Sequence, residues 1–245
     1  MCETGRIYVV GIGPGDDRTM TADAKAALQN CDVIAGYKTY IDLIRDRFPG
    51  KVFMESGMKQ ETERCEACLD LAKSGKNVCL ICSGDPGIYG MASPMLEIAG
   101  KKGFDNVVII PGVTAALSGA ALLGAPIGHD FCVISLSDLL TPWEKIEKRL
   151  ICAAEADLCI VIYNPASKQR PEHLKRACNI LTDILGEDRC CGIVRNIGRD
   201  GTYSQICSLS ELPKQDTDMF TTVFIGNSQT KVSGNRLVTL RGYQP

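Results

Sequence analysis

Six residues near the start of the chain, Gly-Ile-Gly-Pro-Gly-Asp at positions 11–16, form a glycine turn directly after the apolar run 7–10. Glycines at alternate positions let the backbone take positive φ angles and expose amide groups that a side chain would shield. Ligands of open α/β sheets bind at the carboxyl ends of the strands. The turn therefore predicts a site for a small molecule.

Common nucleotide-binding motifs fit this turn poorly. A dinucleotide-binding turn needs a third glycine where Asp16 stands, and Pro14 removes an amide that would face a pyrophosphate. A nicotinamide enzyme also needs an acidic residue at the end of its second strand, but the apolar run 33–35 ends in Gly36 and Tyr37. No Gly-Lys-Ser or Gly-Lys-Thr follows, which excludes a Walker phosphate loop. A NAD-dependent oxidoreductase stays as an alternative of a different class.

Three further glycine or proline clusters lie at or near predicted strand ends. They are Ser-Gly-Asp-Pro with Tyr-Gly in segment 83–90, Pro-Gly-Val-Thr-Ala at 111–115, and Tyr-Asn-Pro at 163–165. Asp85 and Thr114 add polar side chains to them. Because parallel strands bring their carboxyl ends to one edge, we expect these clusters and the first turn to form a common rim of exposed backbone groups.

The elements that must position these turns alternate through the first half of the chain. Apolar runs of strand length occupy residues 7–10, 33–35, 51–54, 78–82 and 107–110. Helical patterns, such as 22–30 and 61–73, lie between them, and Thr21 is a suitable N-cap for the first helix. The pattern predicts an α/β fold with a mostly parallel sheet that helices cover on both faces.

The second half predicts a mixed α/β domain. Strands are expected at 131–135, 158–163, 190–195, 202–207 and 221–225, with helices at 143–154 and 171–185. The last strands follow one another closely, so they should pair partly antiparallel. We therefore expect two domains, residues 1–120 and 121–245, with a ligand cleft between them.

Composition narrows the classes of partner. The chain has 245 residues, a net charge of −2 and 23% charged residues, so no long-range field favours nucleic acid or an anionic membrane. The first residues lack the apolar core of a secretory signal, which favours a cytoplasmic protein. Residues 107–128 carry no charge, but glycines and prolines divide them into a strand, a turn and a small-residue helix rather than a membrane span.

Thirteen cysteines raise the question of a metal site. The pairs Cys65/Cys68 and Cys79/Cys82 have the spacing of a zinc knuckle. However, the second pair falls on a predicted buried strand, where residues three apart point to opposite faces. We therefore expect reduced, buried thiols and no metal, while a zinc-dependent binding module stays as a third alternative.

The order of the glycine motifs in this chain resembles the tetrapyrrole methylase family, the class III S-adenosylmethionine-dependent methyltransferases. The resemblance runs from residue 7 to about residue 225. Within the family, segment 128–144 resembles the carbon-17 methyltransferases of cobalamin synthesis, which act on precorrin-3B or cobalt-precorrin-3 with ring contraction. Ser83 replaces a glycine of the uroporphyrinogen methylases and speaks against that assignment. Another corrin-ring methyltransferase, acting at a different carbon, is the first alternative.

The resemblance implies a two-domain tetrapyrrole methylase fold, a homodimer, a tetrapyrrole substrate and an S-adenosylmethionine held mostly by backbone groups. The implied cofactor contacts are Gly13, Pro14, Ser83, Gly84, Asp85, Ile88, Thr114, Ala115 and Asn164, with looser placements at Ile197 and Asn227. Whether the substrate already holds cobalt stays open, although the many cysteines favour the oxygen-independent route.

Methyl transfer from a sulfonium needs alignment more than a nucleophilic side chain, whereas ring contraction requires proton transfers. His129, beside Asp130, is the preferred acid or base, ahead of His173 at a surface-like helix start. Asp138 is the second candidate, with capping of a helix at 141–150 as its alternative role. Carboxylate arms of the substrate would need cationic partners. The candidates are Lys38, Lys168, Arg170, Arg195 and Arg199.

Overall fold

The computed structural model describes residues 4–243. Within them the chain divides into two compact units, the first ending at Thr114 and the second beginning at Ala115. Each unit has its own central sheet and its own buried clusters of apolar side chains.

The first unit is built on a five-stranded sheet in which every pairing is parallel. Its strands are β1 (Ile7–Gly11), β2 (Val33–Tyr37), β3 (Val52–Ser56), β4 (Val78–Cys82) and β5 (Val107–Ile110), in the order β3-β2-β4-β1-β5. Its helices are α1 (Ala22–Asn30), α2 (Lys38–Ile44), α3 (Glu61–Lys73) and α4 (Ala92–Lys101). This confirms the predicted parallel sheet, and β1, β4 and β5 lie side by side.

Apolar side chains of the first sheet are buried on both faces. One cluster joins Val9 and Leu80 to the packed side of α3 and α4, and the other joins Val10 and Ile81 to α1 and α2. Strands covered on both faces read as continuous apolar runs, which is why the sequence locates them well. Thr21 caps α1 as predicted, because its hydroxyl accepts a hydrogen bond from the Ala24 amide at 3.2 Å.

The second unit contains a mixed five-stranded sheet and a small three-stranded one. The large sheet contains β7 (Phe131–Ser135), β8 (Cys159–Tyr163), β9 (Cys190–Arg195), β10 (Tyr203–Ser208) and β11 (Thr221–Ile225), in the order β10-β9-β11-β8-β7. Only β7 and β8 pair parallel, and the other three pairings are antiparallel as predicted. The small sheet contains β6 (Gly124–Ala125), β12 (Thr230–Ser233) and β13 (Arg236–Thr239).

Three helices cover the large sheet of the second unit: α5 (Ala115–Leu123), α6 (Trp143–Glu155) and α7 (His173–Leu185). On α5, a side chain at Gly119 would meet the Phe224 ring at 2.9 Å, so a small residue is required where this helix packs on the sheet. The charge-free segment thus forms the predicted strand (β5) and small-residue helix (α5), and it adds the short strand β6, which was not predicted. Among the described residues, none of the helices has the length and apolarity that a membrane span requires.

Candidate functional site

The loops after β1, β4 and β5 meet at one edge of the first sheet. Gly13 and Gly84 form an antiparallel bridge, in which the Gly84 amide donates to the Gly13 carbonyl at 2.8 Å and the Gly13 amide donates to the Gly84 carbonyl at 3.2 Å. Both glycines have positive φ, 72° and 69°, the region that glycine enters without strain. The predicted convergence of the first three clusters is therefore present in this unit.

A second close approach joins the same loops around Gly112. A Cβ atom on Gly112 would lie 2.1 Å from the Gly84 carbonyl oxygen, and one on Gly11 would lie 2.5 Å from that oxygen. Real Cβ atoms do not approach backbone this closely, so no side chain fits at either position. Here the glycines let three loops pack backbone against backbone.

The carboxylate of Asp85 ties two of these loops together. One oxygen accepts from the Gly87 amide at 2.8 Å, and the other accepts from the Gly112 amide at 3.0 Å. Next to this tie the loop exposes Gly87, Ile88 and Tyr89. Exposed apolar side chains beside fixed backbone groups fit a ligand with both apolar and polar parts.

Charged residues also hold the first glycine turn in place. Arg47 donates to the Gly15 carbonyl at 2.8 Å, and Arg18 forms an ion pair with Asp16 at 2.5 Å. Hydrogen bonds from the Arg18 side chain and amide lower the pKa of Asp16 from 3.8 to about 2. Pro14 is buried within this turn.

In the second unit, the carboxyl end of β8 carries the Tyr-Asn-Pro cluster. The Tyr163 hydroxyl accepts from the Ala116 amide at 2.7 Å and so fixes the start of α5. Asn164 has a φ of 54°, and its amide nitrogen donates to the Ser135 hydroxyl at 2.9 Å. A side-chain hydrogen bond thus joins the carboxyl ends of the adjacent parallel strands β7 and β8.

The two looser cofactor placements, Ile197 and Asn227, fall where the side chains are buried. Ile197 is 8% exposed and packs in the core with Phe224. Asn227 is 4% exposed, and its side-chain oxygen accepts from the Gln229 amide at 3.0 Å and from the Thr230 hydroxyl at 3.2 Å. Both side chains are already engaged, so these positions could offer a ligand mainly backbone groups.

The five cationic residues that are predicted to bind the carboxylate arms of the substrate have different surroundings. Lys38 begins α2 and Lys168 lies in the loop after β8, and both are exposed. Arg195 donates to Asp216 and to Asp218, each at 2.7 Å, so two carboxylates already compensate its charge. Arg199 lies over the Phe220 ring, with its guanidinium carbon 5.0 Å from the ring centre. The fifth, Arg170, points towards a carboxylate of the second unit.

That carboxylate belongs to Asp138, and its surroundings correct two expectations. Asp138 does not cap the following helix, because α6 begins at Trp143 after Pro142 and no side chain caps it. Instead, His173 Nε2 lies 3.1 Å and Arg170 Nη1 lies 3.9 Å from the Asp138 carboxylate. His173 lies at a helix start as predicted, although α7 begins two residues later than the predicted 171, and its side chain is only 18% exposed and is not surface-like.

The preferred histidine has looser surroundings. His129 lies just before β7, as predicted, with a side chain 49% exposed. Its Nδ1 accepts from the backbone amide of Asp130 at 3.0 Å, and the Asp130 carboxylate lies 3.7 Å away with 87% of the side chain exposed. The sequence did not indicate the Asp138–His173 pair, because the partners lie far apart in the chain and share no motif.

The four zinc-spaced cysteines are all buried. Cys65 and Cys68 lie on α3, whereas Cys79 and Cys82 belong to the buried clusters on opposite faces of the first sheet. Burial raises the pKa of Cys65 to about 11 and that of Cys68 to about 12, so both thiols stay protonated near neutral pH. Across residues 4–243, no three His, Cys, Asp or Glu side chains form a group that could hold a metal ion.

Comparison with known proteins places this architecture in a family. The profile of the tetrapyrrole (corrin/porphyrin) methylases matches residues 6–213. The chain therefore belongs to this family of methyltransferases.

Individual relatives show which members of the family this chain is similar to. A Salmonella typhimurium protein named probable cobalt-factor III C(17)-methyltransferase is 45% identical over 238 residues, which is 97% of this chain and 99% of the relative. A Sinorhizobium precorrin-3B C(17)-methyltransferase is 40% identical over 94% of this chain and 91% of its own. The crystal structure of the methyltransferase CobJ superimposes with a TM-score of 0.90 at 35% identity, covering 97% of this chain and all of that one.

Proposed function

We propose that this protein transfers the methyl group of S-adenosylmethionine to carbon 17 of a corrin precursor in cobalamin biosynthesis, with contraction of the ring. The observation that carries the proposal is the 45% identity to a C(17)-methyltransferase over almost the whole of both chains. The convergence of the Gly13, Gly84 and Gly112 loops supports it independently, because it provides a backbone-lined edge for the cofactor.

We assign the cofactor to the loops at the carboxyl edge of the first sheet and to the end of β8. The proposed contacts are Gly13, Pro14, Ser83, Gly84, Asp85, Ile88, Thr114, Ala115 and Asn164, with backbone groups near Ile197 and Asn227. When bound, S-adenosylmethionine supplies an electrophilic methyl group. The chain's own contribution is to fix the orientation of the donor, and alignment can be worth roughly 7 to 11 kcal/mol in a two-reactant displacement.

We assign the binding of the substrate, a flat macrocycle with carboxylate arms, to the second unit and to Lys38. The loop that carries Asp138 exposes Leu139 and Leu140, and these apolar side chains suit the face of a macrocycle. Lys168 is a stronger candidate for a carboxylate arm than Arg195, since Arg195 already has two acidic partners.

On the resemblance to the family we also propose a homodimer that works in the cytoplasm. One chain has a mass of 26.5 kDa. Light scattering coupled to size-exclusion chromatography should therefore give twice that mass. A single-chain mass would remove the dimer from the proposal without touching the reaction.

The reaction is tested by anaerobic incubation with S-adenosylmethionine carrying a ¹³C-labelled methyl group. Cobalt-precorrin-3, cobalt-factor III and precorrin-3B are offered in parallel, which also decides whether the substrate holds cobalt. We expect one labelled methyl group at carbon 17, seen by mass spectrometry and NMR. A label at another carbon would favour the alternative corrin methylase, and no transfer together with tight NAD(H) binding would favour an oxidoreductase.

A further inference from the structure

Asp138 lies in the loop between β7 and α6, with the side chains of His173 and Arg170 directed at it. His173 Nε2 lies 3.1 Å from Oδ2 of this carboxylate, and Arg170 Nη1 lies 3.9 Å from Oδ1. The Asp138 side chain is 37% exposed, whereas those of His173 and Arg170 are only 18% and 17% exposed. The carboxylate can therefore reach a substrate, while the groups behind it are largely shielded.

Packing fixes the His173 ring on its other side. The ring meets the buried Trp143 edge to face, with centres 5.0 Å apart and planes at 86°. Trp143 is held in turn, because its indole nitrogen donates to Glu147 at 3.0 Å and the Arg176 guanidinium lies 4.3 Å from its ring centre. The imidazole is therefore held against the carboxylate by a rigid neighbour.

Arg170 is fixed in a similar way. Its backbone pairs with that of Ser167, and its Nε donates to the Ser167 hydroxyl at 3.2 Å. Arg170 Nη1 and His173 Nε2 are buried, and neither makes a hydrogen bond of good geometry with any described residue. Buried donors without partners are costly, so both depend electrostatically on the Asp138 charge.

The same contacts keep Asp138 ionised. The contact with His173 is the main cause that holds the pKa of Asp138 below its usual value, and the charges of His173 and Arg170 add to it, although burial opposes them. A lowered pKa makes this carboxylate a weaker base than a free one, so what the contacts contribute to proton transfer is its fixed orientation and partial exposure.

We propose that His173 is a positioning residue that holds the Asp138 carboxylate in place as the base for ring contraction, with Arg170 as a second support. This inference rests on the proposed function. In the step assigned to it, Asp138 takes one proton from an O–H group of the substrate, the electron pair stays on that oxygen, and the carboxylic acid then releases the proton to water. His173 contacts Asp138 and acts only through it.

Two substitutions separate the two roles of His173. His173→Phe keeps a ring that can pack on Trp143 but removes the nitrogen that faces Asp138. His173→Gln loses the ring but retains an N–H donor that can reach the position of Nε2. Lys175→Gln is the matched control, since Lys175 lies on the same helix, is 61% exposed and pairs only with Glu172 among the described acidic groups.

The experiment measures methyl transfer and ring contraction separately, as S-adenosylhomocysteine formed and as contracted product detected by NMR. For His173→Phe we expect the kcat of contraction to fall by about 10- to 100-fold. KM and the affinity for S-adenosylhomocysteine should stay within about twofold, and methylated but uncontracted product should accumulate. His173→Gln should restore part of the contraction, and Lys175→Gln should behave as the wild type.

The outcomes are distinguishable. A wild-type protein that methylates none of the offered corrin precursors contradicts the proposed function itself. If the wild type methylates and contracts but His173→Phe contracts equally fast, the positioning role is wrong. If both His173 variants lose cofactor affinity, methyl transfer and contraction in equal proportion, His173 serves the fold alone and the inference is overturned.

Discussion

The two units present polar groups at their sheet edges in different ways. In the first unit the contacts are made by backbone, as in the bridge between Gly13 and Gly84 and the close approach at Gly112. In the second unit they are made by side chains, as in the group of Asp138, His173 and Arg170 packed on Trp143. The difference indicates a division of work, with the first edge suited to holding a donor molecule and the second suited to moving a proton.

We expect the largest effect on activity at Asp138, the side chain that is proposed to accept a proton. Asp138→Asn keeps the size of the side chain but removes the charge, so ring contraction should fall by about 10²- to 10⁴-fold. The affinity for S-adenosylhomocysteine, measured by calorimetry, should not change. A loss of cofactor affinity in this variant would contradict the division of work between the two units, because the Asp138 carboxylate would then also contribute to binding the methyl donor.

At the edge of the first sheet, where backbone groups make the contacts, a steric clash should be the most damaging change. Gly112→Ala places a Cβ atom 2.1 Å from the Gly84 carbonyl oxygen, so the loops must separate. We expect the free energy of unfolding to fall by about 2 kcal/mol and cofactor affinity to fall at least about tenfold. Gly100→Ala is the control, because a Cβ atom there has open space, and the helix should gain up to about 1 kcal/mol. Equal cofactor affinity in the two variants would contradict the assignment of this edge.

A smaller effect is expected at Asp85, whose carboxylate joins the loops after β4 and β5. Asp85→Asn retains one oxygen but turns an NH₂ group towards the amide of Gly87 or Gly112, which should cost about 1 kcal/mol of stability. Cofactor affinity should drop about fivefold. The exposed Asp105→Asn is a matched substitution in the same unit, and a similar loss there would mean that the tie is unimportant.

The smallest effect concerns the pH dependence of stability. Asp16 has its pKa lowered from 3.8 to about 2 in the folded protein, so its ionised form stabilises the fold. This contribution is complete above the unfolded pKa and is lost as the pH falls towards 2. Urea unfolding of wild type and Asp16→Asn should therefore differ slightly at pH 6 and converge near pH 2. A difference that does not change with pH would assign Asp16 a purely geometric role.

The sequence predicts elements with continuous apolar or helical patterns well. The bounds of α1, α3, β4, β5, β7, β9 and β11 agree with the predicted ranges, because apolar runs of strand length and helical periodicity are visible in sequence. Helices α2 and α4 were expected only as part of the segments between strands and received no bounds, and α2 follows β2 directly. The short strands of the three-stranded sheet were also missed, because two to four residues carry little pattern.

The same contrast holds for the candidate site. Backbone turns are visible in sequence because glycine and proline are required at particular positions, as at Gly13 and Gly84. The pairing of Asp138 with His173 is not visible, since it depends on how the loop after β7 packs beside the start of α7. Sequence reasoning preferred His129 because it stands beside Asp130, and in the structure both of these side chains are exposed.

The central claim is that the loops after β1, β4 and β5 hold the methyl donor. The most direct test is the backbone amide NMR spectrum of deuterated, ¹⁵N-labelled protein titrated with S-adenosylhomocysteine. We predict saturable shifts at the amides of Gly13, Gly84 and Gly112, and none at Ser74 at the far end of α3. Saturable binding that leaves all three glycine amides unmoved would contradict the claim.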